Sequence, residues 1–119
     1  MEEIILLNNE ELLYRKKISN IEKPKVENIT FYFVSNGEVY CPVWGDYIEF
    51  QSVKKNWEKF DKILLKDNIE LNDIAELVIL CDLSSDYFLN HRDELVDGLK
   101  KDLKNVDINS LYFSYEYFN

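Results

Sequence analysis

His91, the single histidine, and the two cysteines, Cys41 and Cys81, are the residues from which a nucleophilic site would have to be built. Such a nucleophile needs an adjacent base, and neither cysteine lies in a recognisable nucleophile turn. His91 stands at the start of a predicted helix, beside the positive end of its dipole, and reads as an ordinary first-turn residue. One histidine and two distant cysteines give no zinc spacing, and the acidic residues do not form a calcium loop. Gly37, Gly45 and Gly98 are the only glycines, too few for a phosphate cradle or dinucleotide fingerprint. Paired carboxylates remain: Glu38, Asp46 and Glu49 come from adjoining strands or turns beside Tyr40, Trp44 and Tyr47. Carboxylates among aromatics suit acid-base work on sugars, and equally a protein-binding surface anchored by Tyr and Trp. The expectation is a protein with no catalytic constellation, no cofactor and no metal.

The charge is more informative than any motif. A formal charge of −9 and a pI near 4.6 repel nucleic acid phosphates, and Arg15 and Arg92 are the only side chains able to present a bidentate fork to them. Between Asp67 and Asp97, nine acidic residues (Asp67, Glu70, Asp73, Glu76, Asp82, Asp86, Asp93, Glu94 and Asp97) meet one cation, Arg92, a local charge of −8. Gathered on one side, they would form an acidic face suited to a basic protein partner; scattered, they would serve solubility alone.

The elements that must position these groups are organised around Ile29 to Phe50. β-Branched and aromatic runs flank Asn36-Gly37, the signature of a two-residue hairpin turn. Phe31 and Phe33 fall on one face and Tyr32 and Val34 on the other, which suits a central strand. Pro42 has no amide to donate, so the second strand ends or bulges near Cys41 to Val43, Trp44-Gly45-Asp46 reads as a turn, and a third strand runs to Phe50. Upstream, residues 4 to 18 read as a hairpin, Ile4 to Leu7 and Leu12 to Ile18 around Asn8-Asn9-Glu10-Glu11, or as an irregular helix ending at Arg15-Lys16-Lys17; strand is preferred. Ser19 to Asn28 reads as an exposed connection.

From Ser52 the period becomes helical. Val53, Trp57, Phe60 and Leu64 share one face, and Lys55, Lys59, Lys62 and Lys66 another, read as solvated. Asn72 or Asp73 caps a second helix that buries Ile74, Leu77, Val78 and Cys81, although Leu77 to Cys81 could also be a buried strand. Asn90 caps a third, with Leu95, Leu99 and Leu103 on one face; Tyr87 and Phe88 leave its start uncertain by a turn. Gly98 in its middle requires a closely packed neighbour to be tolerated. Leu111, Phe113, Tyr115 and Tyr117 alternate as a final strand.

Strands, then helices, then a returning strand imply one α+β domain over residues 1–119: a mainly antiparallel sheet, two or three helices on one face, and the C-terminal strand back in the sheet. The apolar content of 46% is enough for such a core. The N-terminus lacks the features of a signal peptide, and no run approaches the ~18 apolar residues of a membrane span, so a soluble cytoplasmic protein with reduced cysteines is expected. In composition the chain resembles the general type of bacterial toxin-immunity proteins, which occupy the cleft of a basic toxin with carboxylates in place of phosphates. That likeness implies a basic protein partner, with Asp82, Asp86, Asp93 and Asp97 as electrostatic contacts and Trp44 or Tyr47 as apolar anchors. The alternatives are a small carboxylate-using enzyme at Glu38 to Glu49, or a self-associating subunit with an exposed apolar edge.

Overall fold

The computed structural model describes residues 3–6, 12–20, 26–45, 57–81 and 86–117, with the main chain alone for residues 3, 4, 6, 26–28, 41–45, 81, 86, 116 and 117. In chain order the elements are β1 (Glu3–Leu6), β2 (Leu12–Arg15), a 3-10 turn (Ile18–Asn20), β3 (Val26–Ser35), β4 (Glu38–Gly45), α1 (Trp57–Leu64), α2 (Leu71–Cys81), α3 (Asp86–Leu89), α4 (Arg92–Asp102) and β5 (Leu111–Tyr117). The strands form one antiparallel sheet in the order β1-β2-β5-β3-β4. The α+β class and the returning C-terminal strand are as expected, and β5 goes to the centre of the sheet.

Asn36 and Gly37 take φ of 53° and 78°, the positive values that a tight hairpin turn between twisted strands demands. In the β3–β4 ladder Phe31 faces Val43 but Phe33 faces Tyr40, so Cys41 and Pro42 together oppose Tyr32. This bulge absorbs the residue that cannot donate, and it does so on an edge strand. The ladder then continues, Thr30 opposite Trp44 and Ile29 opposite Gly45, so Trp44-Gly45 belongs to β4 and not to a turn. The predicted strand to Phe50, the turn at Asn8 to Glu11, Val53 and Lys55 lie outside the described residues.

Two further boundaries move because long-range pairing overrides local polarity. Val26 pairs with Tyr117 and Asn28 with Glu116, which draws the end of the expected connection into β3. β1 and β2 form the N-terminal hairpin, and β2 leaves the sheet at Arg15, short of the predicted Ile18.

Ile29, Phe31, Phe33, Leu111 and Phe113 turn their side chains toward the helices, and Phe31 meets Phe60 of α1 with ring centroids 5.8 Å apart. α1 buries Trp57, Phe60, Ile63 and Leu64 and leaves Lys59 and Lys62 exposed, as its periodicity implies. In α2 Ile74, Ala75 and Leu77 are fully buried and Leu80 nearly so, a helical spacing that decides between helix and strand for this run. α2 starts before the predicted cap: Asp73 sits in its first turn and its carboxylate reaches back to accept the Glu70 N–H at 2.9 Å. On the opposite face of the sheet Leu13 and Ser114 are buried and Tyr32, Val34 and Tyr112 half-buried.

Arg15 joins the layers. Its Nε donates to the Leu64 carbonyl (3.1 Å), Nη2 to Lys66 (3.0 Å) and Nη1 to Asn109 (2.8 Å). Leu64 is the last residue of α1, where carbonyls lack helical partners and a cation complements the dipole. Asn109 extends the junction, its side-chain oxygen accepting the Ile69 N–H at 2.7 Å.

Removing this fork strands three partly buried carbonyls. Arg15→Met should lower unfolding free energy by about 2–4 kcal/mol in urea titrations. Arg15→Lys should recover only part, because an ammonium cannot match the planar fork. Gly98 behaves in the opposite sense: it is exposed, a Cβ there meets nothing within 4 Å, and no close neighbour requires it. Gly98→Ala should raise stability by about 0.5–1 kcal/mol, shifting the urea midpoint at constant slope.

Candidate functional site

A cluster of exposed and chemically capable side chains occurs where the one-turn helix α3 meets α4. Backbone bonds from Asn90 N–H to the Tyr87 carbonyl and from His91 N–H to the Phe88 carbonyl close α3. His91 then becomes the N-cap of α4 with φ −131° and ψ 41°; the expected cap, Asn90, lies one residue too early, its N–H bonded back to α3. The His91 side chain makes no capping bond. Instead its Nδ1 lies 2.7 Å from the Tyr87 carbonyl, which can only accept, so Nδ1 carries the proton and Nε2 is left open.

This bond lays the imidazole flat on the Tyr87 ring, with centroids 4.0 Å apart and planes 2° from parallel. The other end of Tyr87 is fixed as well: its hydroxyl donates to Glu94 Oε2 at 2.5 Å. The hydrogen bond to Glu94, with burial and the carboxylate charge behind it, raises the phenol above its usual range. Tyr87, His91 and Glu94 are spaced i, i+4 and i+7, and their contacts bring them together on the surface.

Beside His91 and Glu94 lies an open cleft of about 410 Å³ lined by Leu89, Asn90, His91, Arg92, Asp93 and Glu94. Tyr87 is 53% and Leu89 59% exposed, the largest values among the described large apolar side chains. The remaining exposed ones, Leu12, Val39 and Tyr40, lie on strands. Asp93, Glu94 and Asp97 are exposed on α4, and Asp93 and Asp97, four residues apart, share a face.

The cation within the acidic stretch does not neutralise them. Arg92 Nη2 bonds Glu76 Oε2 at 2.6 Å and ties α4 to α2. Lys66 likewise engages Asp73 at 2.7 Å. Of the nine acids, Asp73 and Glu76 are therefore internally paired, and Asp67 and Glu70 precede α2 in the chain. Asp82 and the side chain of Asp86 lie outside the described residues. So does Tyr47, while Trp44 is placed by its main chain in β4.

Tyr87, Leu89 and His91 were not expected to contribute. The apolar pattern assigns Tyr87 and Phe88 to a buried face running into the next helix, and that continuity fails at the break. In the carboxylate group proposed for catalysis, Glu38 and Tyr40 are exposed, and Asp46 and Glu49 lie outside the described residues. A second aromatic group, Tyr14 stacked on Tyr115 at 5.3 Å with Lys16 Nζ 4.5 Å above the Tyr14 ring, is half-buried at the β2–β5 junction. Among the described residues no three potential metal ligands come together, and no helix is long and apolar enough to cross a membrane.

The Tyr87 to Glu94 bond has a pH signature. A phenol raised in the folded state contributes stability at neutral pH that is lost as pH rises through the raised value. Followed by the ¹³Cζ resonance of Tyr87, ionisation should occur above the ordinary tyrosine range, and Glu94→Gln should bring it down. An unchanged titration in that variant would remove Glu94 as the cause.

Compared with protein-family models, with curated proteins and with solved structures, the chain matches none.

Proposed function

We propose that the protein is a small acidic, non-enzymatic binding domain that holds a basic protein partner through the α3–α4 corner, in the manner of a toxin-immunity protein. The observation that carries this reading is the adjacency of two strongly exposed apolar side chains, Tyr87 and Leu89, to Asp93 and Glu94, with Asp97 one turn further along α4 on the face of Asp93. Exposed carboxylates alone would serve solubility. Beside apolar anchors they form the two parts of a binding surface: burial of Tyr87 and Leu89 slows dissociation, and the charge speeds encounter.

The allocation of cations supports the same direction. Both guanidiniums are engaged within the fold, Arg15 on carbonyls and Arg92 on Glu76. Neither is presented to phosphates, and the net charge of −9 opposes them. Of the acidic contacts expected from sequence, Asp93 and Asp97 carry the proposal, with Tyr87 and Leu89 as its anchors.

The test is capture of a basic protein from the native lysate by the tagged chain, followed by kinetics with the purified partner. Asp93→Lys with Asp97→Lys should slow association by roughly ten-fold at low salt and flatten its salt dependence. Leu89→Ala should instead accelerate dissociation, by about 1–2 kcal/mol. Unchanged kinetics in both variants would remove this corner from the interface.

A further inference from the structure

We infer that the tip of the β3–β4 hairpin is a site of spontaneous covalent modification, where the Asn36 carboxamide closes onto the Gly37 nitrogen and reopens as aspartate or isoaspartate, releasing the start of edge strand β4. The chemistry requires nothing of the α3–α4 corner.

Ring closure needs a main-chain nitrogen that can reach the side-chain carbonyl carbon of the residue before it. Gly37 offers that nitrogen with no side chain to hinder the approach, and it is the only glycine that follows an asparagine. It lies beyond the ladder, which closes with Ser35 opposite Glu38, and both tip residues are exposed. Nothing lies within 4 Å of the position a Gly37 Cβ would take, and among the described residues no hydrogen bond holds the Asn36 carboxamide. Other asparagines are less open to the reaction. Asn20, Asn28, Asn68 and Asn105 precede Ile or Val, whose branched side chains crowd the nitrogen. Asn72 lies within α2, the Asn109 side-chain oxygen is held by the Ile69 N–H, and the nitrogen after Asn90 donates to the Phe88 carbonyl.

The step balances with water and hydroxide alone. Hydroxide takes the Gly37 amide proton, the nitrogen attacks Asn36 Cγ, and the bond from Cγ to the side-chain nitrogen breaks; that nitrogen takes a proton from water and leaves as ammonia. Water then opens the cyclic imide at either carbonyl. Opening at Cγ gives aspartate, and Asp-Gly still serves a two-residue turn. Opening at the main-chain carbonyl gives isoaspartate, which adds a carbon atom to the backbone and a negative charge to the tip. The tip closes through φ of 53° and 78° at two successive residues, a path the lengthened chain cannot follow. β3 is held from its other side, the Val34 N–H on the Ser110 carbonyl (3.0 Å) and the Asp107 N–H on Ser35 Oγ (3.1 Å), so the displacement falls on β4. Only the pairs Ser35–Glu38, Val34–Val39 and Phe33–Tyr40 lie between the tip and the bulge at Cys41-Pro42, and β4 has no second neighbour in the sheet. The turn sets their register, so these are the pairs it releases.

The test ages the full ¹⁵N-labelled chain in mildly alkaline buffer and follows it by peptide mapping with mass spectrometry, by labelling with an isoaspartate methyltransferase, and by amide hydrogen exchange. Asn36 should convert before any other asparagine, with isoaspartate in excess over aspartate. In the converted protein the Glu38 and Tyr40 amides should exchange roughly ten-fold faster or more, while those of Leu111 to Ser114 keep their protection. Asn36→Gly, which adopts the same positive φ and has no carboxamide, should abolish both the conversion and the loss of protection. The dispersion of its amide spectrum reports its fold in the same experiment. Conversion at other asparagines while Asn36 stays intact would overturn the assignment of the site. Isoaspartate at Asn36 with unchanged exchange at Glu38 and Tyr40 would overturn the release of β4.

Discussion

The guanidinium of Arg15 is the point through which the sheet and the helix layer are held in register. β2 is only four residues long and meets β5 at Tyr14–Phe113, so its own ladder is a weak tether for the N-terminal hairpin. Arg15 ends that strand and binds carbonyls 49, 51 and 94 residues further along the chain. Those three belong to the last turn of α1, the loop that follows it, and the loop that delivers β5. The helix end needs donors, the loops need a fixed path, and one planar group supplies both. Asn109 doubles the junction by accepting the Ile69 amide while its own carbonyl receives Arg15.

From that junction the position of α2 follows. The loop held by Arg15 and Asn109 leads directly into Leu71, and the Asp73 carboxylate, shared between the Glu70 amide and Lys66, fixes the first turn. α2 then packs Ile74, Ala75 and Leu77 onto the core and presents Glu76 to Arg92. A half-exposed pair of this kind contributes modestly to stability. Its larger consequence is local: it holds the start of α4 against α2 and removes the cation from the carboxylates that follow.

The features read correctly from sequence are those whose cause is local. Asn36-Gly37 carries its own backbone requirement, the alternation of Leu111, Phe113 and Tyr115 has no helical equivalent, and Leu95, Leu99 and Leu103 define a stripe at helical spacing. Misread features depend on residues far away. Val26 to Asn28 look like a polar connection until Tyr117 and Glu116 pair with them, and Trp44-Gly45 look like a turn until a bulge at Cys41-Pro42 lets the ladder resume. Arg15 has the type of a phosphate-binding fork, and only its distant carbonyl partners show it to be an internal one. The candidate site was half legible: i, i+4 spacing places Asp93 and Asp97 together, but the apolar pattern continues the face of the next helix back through Tyr87 and Phe88, whereas Tyr87 is exposed.

The break at Asn90-His91 sets where α3 ends and α4 begins. Had α3 run directly into α4, Tyr87 and Leu89 would lie on a continuous helix, and His91 would be an interior helical position. Interrupting the helix frees the His91 ring to bond backward to the Tyr87 carbonyl, and the same bond keeps the ring from capping α4. Asp93 and Glu94 then occupy the first turn of an N-terminus without a side-chain cap, where the dipole favours their charge. Restoring a conventional cap at position 91 would strengthen the helix start while dismantling the stacked pair.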